Sequence, residues 1–442
     1  RYFVEFNFGL NGSERFHKNN RWGFFPSVGA AWDIANEKFW PIKDKISSLK
    51  VRGSYGVVGN DQIGDAMKDR FFYLSNVNLS DSGWGYTFGE LFNYSKTGIS
   101  INRYPNELIG WEKSKQMNLA IDLVGMGFTV TAEYFTQYRN NILMGRSYIP
   151  NTMGLTAQVQ ANIGEAFNQG VDLSMKYQKN FMNGLWLEGQ FNFTYAHNEM
   201  RVVDEPGYPI NEWYRSSIGR TANANIGLIA ERLFIDEADV ANSPEQGFGE
   251  YMAGDIKYKD MNGDGKITDD DNVCMGFPNV PEINYGFGAS MGWKNIDFSF
   301  FFTGVGRRSF MINPGNITPF HINGGNQNGL LEVIAEDHWS EDNRDIYAFW
   351  PRLASKIIDN NNRGSSWWLR NGRFLRLKSL EVGYSIPEKL FTKCGLRNLR
   401  LYLNASNLFV ISKFKMWDPE MAGNGLGYPI QRVFNIGLMI GI

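Results

Sequence analysis

The sequence has few of the residues on which disulfide scaffolds and metal centres are built. Only two of its 442 residues are cysteine, at Cys274 and Cys394, and only four are histidine. Two isolated cysteines give neither a disulfide framework nor the spacing of a metal site. The histidines are scattered along the chain, so each is interpreted as solvated or locally hydrogen-bonded. Composition therefore argues against a cysteine-stapled fold and against a histidine-based metal centre.

Long apolar runs and an excess of positive charge are also missing. No apolar run approaches the roughly 18 to 20 residues of a membrane-spanning helix. The formal net charge is −2, whereas a nucleic-acid-binding surface is strongly basic. No nucleotide fingerprint, nucleophile elbow or HExxH motif is present, and no carboxylate pair can be placed by spacing. We therefore expect neither a nucleic-acid partner nor an enzyme.

The start of the chain lacks the charged segment and apolar core of a signal peptide. Residues 2–8 instead have the pattern of a strand. A chain that begins inside a strand is expected to be part of a longer protein, and residues 1–442 are interpreted as its C-terminal portion.

Glycine and aromatic residues are abundant, with 48 glycines and 15% aromatic side chains. Ordinary globular domains carry fewer of both. Glycine and aromatics without long apolar runs are typical of strands that pack closely and meet a membrane interface.

Apolar and polar residues alternate with a period of two through most of the chain. In residues 171–178, for example, Val171, Leu173 and Met175 fall on one face of a strand and the intervening Asp172 and Ser174 on the other. Alternation of this kind predicts half-buried strands, and several are as long as a tilted strand that crosses a bilayer. The predicted strands lie at 2–10, 24–33, 48–58, 115–125, 127–139, 167–179, 184–197, 283–293, 296–306, 373–385, 397–409 and 432–442.

The connections between these strands alternate between short and long. The long ones, such as 59–114 and 198–282, would count against a compact soluble domain. Short periplasmic turns and long extracellular loops are the rule in outer-membrane barrels. The sequence therefore predicts an all-β fold, a transmembrane antiparallel β-barrel with its C-terminus in the periplasm. The segment 226–234 also has a strand-like pattern and is placed inside the long loop 198–282.

One segment, 260–271, has the ligand spacing of a calcium loop. Side-chain oxygens occur at the first, third and fifth positions, glycine at the sixth, and a carboxylate at the twelfth. The acid at position twelve is aspartate rather than glutamate, so binding is expected to be weaker, and another hard divalent ion is an alternative. An acidic surface turn remains the other interpretation. The predicted ligands are Asp260, Asn262, Asp264, the backbone carbonyl of Lys266, and Asp271.

Two segments rich in aromatic and amide side chains, 360–368 and 211–214, form another candidate site. Exposed Trp and Tyr beside amides suit the binding of sugars or peptides. They also suit an interfacial aromatic girdle or the packing of loops, which we favour because aromatics are general at membrane interfaces.

Ten short motifs, in order along the chain, resemble the SusC/RagA family of TonB-dependent transporters. They cover nearly the whole sequence and are specific only in combination. The motifs are RWGFFPSV at 21–28, LKVRGSYG at 49–56, WEKS at 111–114, NQGVDL at 168–173, GDIKYKD at 254–260, PEINYGFG at 281–288, WLRNG at 368–372, FLRLK at 374–378, NASNLF at 404–409 and WDPE at 417–420.

The resemblance implies an importer of which this chain carries part of the barrel. The family pattern has a plug domain before a barrel of roughly 22 strands, so this chain would supply about the last twelve. It also implies a SusD-like surface lipoprotein as partner, energy from the TonB complex, and an oligosaccharide or peptide cargo. A dimer of transporter–lipoprotein pairs is compatible with it. A passive porin, a barrel enzyme and a soluble glycan-binding protein are the alternatives.

Overall fold

The computed structural model describes residues 1–64, 70–323, 326–387, 398–425 and 427–441. Its main feature is a sheet of twelve antiparallel strands that neighbour one another in chain order. We number these strands β1 to β12. They are β1 (Tyr2–Gly12), β2 (Trp22–Asp33), β3 (Ile46–Asn60), β4 (Glu112–Gly125), β5 (Phe128–Gly145), β6 (Gln160–Asn180), β7 (Leu185–Val202), β8 (Ile283–Trp293), β9 (Ile296–Gly306), β10 (Phe374–Ser385), β11 (Asn398–Ser412) and β12 (Val433–Gly441).

The period-two alternation sorts the side chains of this sheet onto an apolar face and a polar face. In the register of β6 with β7, Val171 pairs with Tyr195 and Asp172 with Thr194. On β12 the apolar side chains are strongly exposed, with Ile436 at 80%. An apolar face of this extent must meet lipid or another protein.

The polar face is held by ion pairs that cross neighbouring strands. Arg52 of β3 donates to Asp122 of β4 at 3.1 Å and to Glu133 of β5 at 2.8 Å. A second network joins Arg400 of β11 to Glu381 of β10 at 2.6 Å and to Asp297 of β9. Each guanidinium thus links three consecutive strands through its planar set of donors.

Tight turns join neighbouring strands at one end of the sheet, where the strands end. The turn between β4 and β5 places Met126 at φ 52° and Gly127 at φ 84°, and Lys294 between β8 and β9 has φ 55°. Positive φ values are what two-residue antiparallel hairpins require. The short connections predicted at these points are confirmed.

The connections at the opposite end of the strands are long and contain short helices and strands of their own. Five short strand pairs lie in them: Asn225–Gly227 with Val273–Met275, Ala230–Leu233 with Ile256–Tyr258, Glu245–Gln246 with Lys266–Ile267, Ser309–Met311 with Leu369–Asn371, and Ile322–Asn323 with Asn326–Gln327. Their α-helices are Glu237–Ala241, Pro314–Ile317 and Glu332–Glu336, and their 3₁₀ turns are Asn151–Met153, Ile210–Arg215, Asp269–Asp271 and Pro419–Met421. A further 3₁₀ turn, Ile34–Asn36, lies between β2 and β3, on the side of the tight turns.

The twelve predicted strands are confirmed, and most extend a few residues beyond the predicted ends. The strand-like segment near 226–234 lies inside the loop, as expected, and pairs in two small sheets and in one isolated bridge, between Leu228 and Ser365. A hairpin of Asn76–Phe88 and Tyr94–Arg103 was missed within the connection predicted as 59–114. Its strands contain glycines, serines and irregular pairing, so their alternation is weak in sequence.

Of the two cysteines, only Cys274 lies in the part of the chain that the structure describes. Cys274 is an exposed free thiol, and Cys394 lies outside the described residues. In the described ranges no helix is long and apolar enough to cross a membrane.

We predict that Gly288→Val destabilises the sheet, because glycine lets the Phe301 ring of β9 lie against β8. A Cβ at position 288 would be 2.3 Å from the carbonyl oxygen of Phe300 and 2.7 Å from Phe301. Overpacking of this kind costs about 1–3 kcal/mol. The check is the fraction of heat-modifiable, folded full-length protein in a urea series. Gly189→Val is the control, since a Cβ there meets nothing within 4 Å, and equal effects of both variants would contradict the prediction.

Candidate functional site

Three of the long connections, all at the end of the sheet opposite the tight turns, fold together into one unit. They are the segments 203–282, 307–373 and 413–432, and we call them the loop unit. One hydrophobic core runs through all three, with Trp368 and Leu228 fully buried. Other members of this core are Leu233, Ile256, Tyr258, Ile267, Phe310, Ile312, Ile317, Ile334, Trp339, Ala348, Trp350 and Phe414.

A buried polar network fastens the first segment of the loop unit to the second. Asp255 is fully buried; it forms an ion pair with Arg352 at 2.8 Å and accepts a hydrogen bond from the Asn361 side chain at 2.8 Å. The Asn361 side-chain oxygen accepts from the Ile256 N–H at 2.8 Å. Burial raises the pKa of Asp255, and Arg352 opposes that shift. A buried carboxylate with partners on two segments fixes one arrangement of them, because its removal leaves buried polar groups unpaired.

The segment 360–368 belongs to this core and does not form an open binding surface. The Trp368 ring nitrogen donates to the carbonyl oxygen of Asn361 at 2.8 Å, and Trp367 donates to that of Phe349 at 3.1 Å. Asn360 is fully buried as well. The interpretation as loop packing is therefore confirmed for this segment.

The segment 211–214 behaves differently because its two aromatic residues separate. Tyr214 is buried at 6% exposure, whereas Trp213 is 71% exposed and the neighbouring Ile210 is 95% exposed. Burial raises the pKa of Tyr214, with the Asp271 carboxylate adding to the shift. This turn thus presents an apolar surface outward while it packs against the predicted cation loop.

The backbone of the predicted cation loop has the turn that its sequence demands. Asp260 accepts from the N–H groups of Gly263 at 2.6 Å and Gly265 at 2.8 Å. Gly265, at the sixth position, has φ 84°, which glycine adopts without strain. Asp264 accepts from the Lys266 N–H at 2.8 Å, and Asn262 from the Asp264 N–H at 3.0 Å.

The twelfth position closes the loop. Asp271 is fully buried and accepts from Met261 and Thr268 N–H groups, both at 2.8 Å. Within the described ranges, no three His, Cys, Asp or Glu side chains gather closely enough to hold a metal ion. The structure thus brings the five predicted ligands into one loop, with their carboxylates bonded to backbone N–H groups.

A carboxylate at the base of the loop unit ties it to the sheet. Glu282 precedes β8 and is 4% exposed. One of its oxygens lies 2.5 Å from Nδ1 of His197 on β7, and the other accepts from Arg307, just after β9, at 2.5 Å. Hydrogen bonding to Glu282 raises the pKa of Arg307. Sequence reasoning missed this trio because 85 positions separate His197 from Glu282.

A second ion cluster holds the last segment of the loop unit. Arg376 of β10 is 2% exposed. It donates to both oxygens of Asp418 at 2.6 Å and lies 3.0 Å from Glu420. These acids belong to the WDPE motif, so the motif acts as an anchor of the connection between β11 and β12.

A third ion cluster lies at the strand pair Ala230–Leu233 and Ile256–Tyr258 of the loop unit. Asp239 accepts from Arg232 at 2.5 and 3.0 Å, from Lys257 at 3.1 Å and from the Ile235 N–H at 3.1 Å. The hydrogen bonds from Arg232 hold the pKa of Asp239 far below its usual range, although burial opposes the shift.

Known proteins share both the sequence pattern and the fold. The family model described as "TonB dependent receptor-like, beta-barrel" matches residues 2–408. The chain is 27% identical to TonB-dependent receptor P3 of Formosa agariphila, over 99% of this chain and 44% of that protein. It is 26% identical to TonB-dependent receptor SusC of Bacteroides thetaiotaomicron, over 100% of this chain and 42% of that protein.

Solved structures show the same architecture. The RagAB peptide importer in its closed-closed state aligns with a TM-score of 0.71 and 24% identity, over 99% of this chain and 46% of that chain. At this identity the likeness shows the fold alone. The chain thus spans less than half the length of these relatives.

The low pKa of Asp239 predicts an acid-sensitive loop unit. Because this pKa is lower in the folded chain, the stabilisation is complete above the unfolded value of about 3.9 and is lost progressively as the pH falls from there through the lower folded value. Asp239→Asn should therefore lower hydrogen-exchange protection of residues 230–241 roughly 30-fold at pH 7, as expected for a loss of about 2 kcal/mol, and should have a clearly smaller effect at pH 2.

The comparison is made between variant and wild type at each pH, so that the intrinsic exchange rate cancels. Glu231→Gln is the matched control, because Glu231 is exposed and affects Arg232 through a charge interaction. A difference between Asp239→Asn and wild type that is the same at pH 7 and pH 2 would exclude this role for Asp239.

Proposed function

The chain belongs to the TonB-dependent receptor-like β-barrel family, and on that basis we propose that the full protein is an energised nutrient importer of the bacterial outer membrane. The SusC/RagA resemblance is confirmed by relatives over nearly the whole chain. The observation that carries the proposal is the match of residues 2–408 to the family's barrel. The family consists of receptors and transporters, so the prediction that this chain is not an enzyme is also confirmed.

The proposed partners follow from the SusC-type relatives. A SusD-like surface lipoprotein would cover the loop unit, and the TonB complex would supply energy through a plug domain outside this chain. The cargo is an oligosaccharide or a peptide, and one relative is described as a peptide importer. Dimers of transporter–lipoprotein pairs are part of the proposal.

The proposed orientation places the loop unit outside the cell and the C-terminus in the periplasm. The long connections lie at one end of the strands, and the tight turns lie at the other end. Short periplasmic turns and long outer loops are the rule for such barrels. In this orientation the connection 203–282 is an extracellular loop that contains the cation loop at 260–271, and the apolar face contacts outer-membrane lipid. The loop begins after Val202 rather than at the predicted residue 198, because β7 continues to Val202.

A passive porin and a barrel enzyme are the remaining alternatives. Family membership disfavours the enzyme. The loop unit disfavours the porin, because an open pore does not need a large folded structure at one end of its strands. The porin is excluded or supported by the energy dependence of uptake.

We propose that the segment 260–271 binds calcium, or another hard divalent ion, and that the ion stiffens the loop unit. The support is the ligand spacing together with the turn at Gly265. Asp260, Asn262, Asp264, Asp271 and the Lys266 carbonyl would supply oxygen ligands. Binding would draw carboxylates toward one point from their present backbone hydrogen bonds.

The importer proposal predicts that the full-length protein co-purifies with a SusD-like lipoprotein from solubilised outer membranes. Uptake of its cargo by intact cells should also stop when TonB is deleted. The measurements are mass spectrometry of the purified complex and growth on individual glycans and peptides as sole nutrients. A barrel that purifies alone and supports uptake without TonB would instead identify a passive porin.

The cation proposal predicts one fewer bound calcium per full-length protein in Asp264→Ala than in wild type. Bound metal is counted by elemental mass spectrometry after chelation and dialysis against calcium. Asp270→Ala is the matched control, since Asp270 occupies the eleventh position and pairs with Arg215 at 2.6 Å. Equal calcium content in Asp264→Ala and wild type would leave the segment an acidic turn.

A further inference from the structure

A cavity of about 490 Å³ lies on the polar face of the sheet, below the last segment of the loop unit. Strands β7, β8, β9 and β10 form its wall, and Glu420 lies at its upper rim. The side chains that give it chemical character are Asn192, Thr194, Asn284, Phe301, Thr303 and Lys378.

A bulge sets Lys378 apart from the regular ladder. Leu377 and Ser379 pair with consecutive residues of β9, Phe302 and Phe301, so Lys378 has no partner on that strand. Lys378 also has no partner in the pairing of β10 with β11, where Asn407 and Leu408 are unpaired as well. Bulges re-aim side chains in this manner beside binding and active sites.

The charge of Lys378 is not compensated by the chain around it. In the described ranges, Lys378 has no ion pair, whereas Arg400, at the opposite end of the same strand pair, is paired with Asp297 and Glu381. Glu420 of the cavity lining and the neighbouring Asp418 are balanced by two arginines. Arg376 binds Asp418 and Glu420.

The second of these arginines is Arg308. Burial lowers its pKa, and the nearby Glu420 carboxylate opposes that shift. Arg308 also donates to the carbonyl oxygen of Pro419 at 3.4 Å, so its positive charge lies close to these acids. The two arginines thus offset the two carboxylates, and the exposed ammonium of Lys378 is left without an acidic partner among the described residues. Such a charge attracts an anionic group.

Phe301 provides a flat apolar surface beside this charge. A Cβ at Gly286 would come within 2.8 Å of its ring, and one at Gly288 within 2.7 Å. The two glycines therefore let the ring lie against β8, where it also lines the cavity. Asn192, Asn284, Thr194 and Thr303 surround it with groups that both donate and accept hydrogen bonds.

This combination fits a sugar better than a peptide. Each strand of the wall is hydrogen-bonded to a neighbour on both sides, so no free edge exists for an extended peptide backbone. Side-chain amides and hydroxyls match sugar hydroxyls, and an aromatic face matches the apolar face of a sugar ring. Resting on the importer function proposed above, we propose that this cavity binds a uronic-acid residue of an oligosaccharide cargo, with Lys378 as partner of its carboxylate.

The test is calorimetric titration of the purified full-length transporter, in the complex in which it is isolated, with trigalacturonic acid and with neutral galactotriose. The wild type should bind the acidic trisaccharide at least tenfold more tightly, or about 1.4 kcal/mol. Lys378→Met should abolish this preference and Lys378→Arg should retain it. Lys415→Met, which removes an exposed charge elsewhere in the last connection, should leave it unchanged.

Three outcomes would overturn the assignment. Wild type that binds the two trisaccharides equally, or binds neither, has no such site, as when another carboxylate of the protein neutralises Lys378. A preference that persists in Lys378→Met places the anion elsewhere. A Lys378-dependent preference for triglycine over its amide, without one for trigalacturonate, would assign the cavity to peptide termini. Binding by purified protein does not involve TonB, so these results are separate from the uptake test of the importer.

Discussion

The whole architecture depends on the continuous antiparallel hydrogen-bond ladder of the twelve strands. A strand that crosses a membrane has no water to satisfy its backbone groups, so every N–H and C=O must be paired within the sheet. The register runs without interruption through most of the sheet, and period-two alternation then delivers apolar side chains to lipid and polar ones to the interior. Ion networks such as that of Arg400 are feasible because the ladder holds their strands at fixed spacing.

Two departures from regular strand geometry lie close together beside the loop unit. The bulge at Lys378 and the positive φ of Asn407 on the neighbouring strand both occur near the end of β10 and β11 that leads to the loop unit. The loss of ladder pairing there is offset by contacts such as the hydrogen bond from Asn407 to the Gln431 carbonyl at 3.0 Å. One irregular position thus re-aims a side chain while the neighbouring strands keep their register.

The loop unit is a folded structure in its own right and is attached to the sheet at defined points. Its buried core and the Asp255 network hold the long segments against one another. Glu282 and Arg376 then join that unit to the strand ends through charge-assisted hydrogen bonds. Because both attachments combine buried and charged groups, the unit is fixed over the interior wall that bears the cavity, where loosely attached loops would move.

The sequence by itself determined the strands, their faces and the family, because alternation with a period of two is a local property and the motifs are local too. It also determined the order of the predicted ligand residues in 260–271, since all of them lie within one short segment. Only the tertiary structure decided which distant residues meet, such as His197 with Glu282 or Asp255 with Asn361, because the loops between them fold through long-range burial. It likewise decided the role of Lys378, whose unpaired charge depends on where a bulge falls and which acids are already occupied.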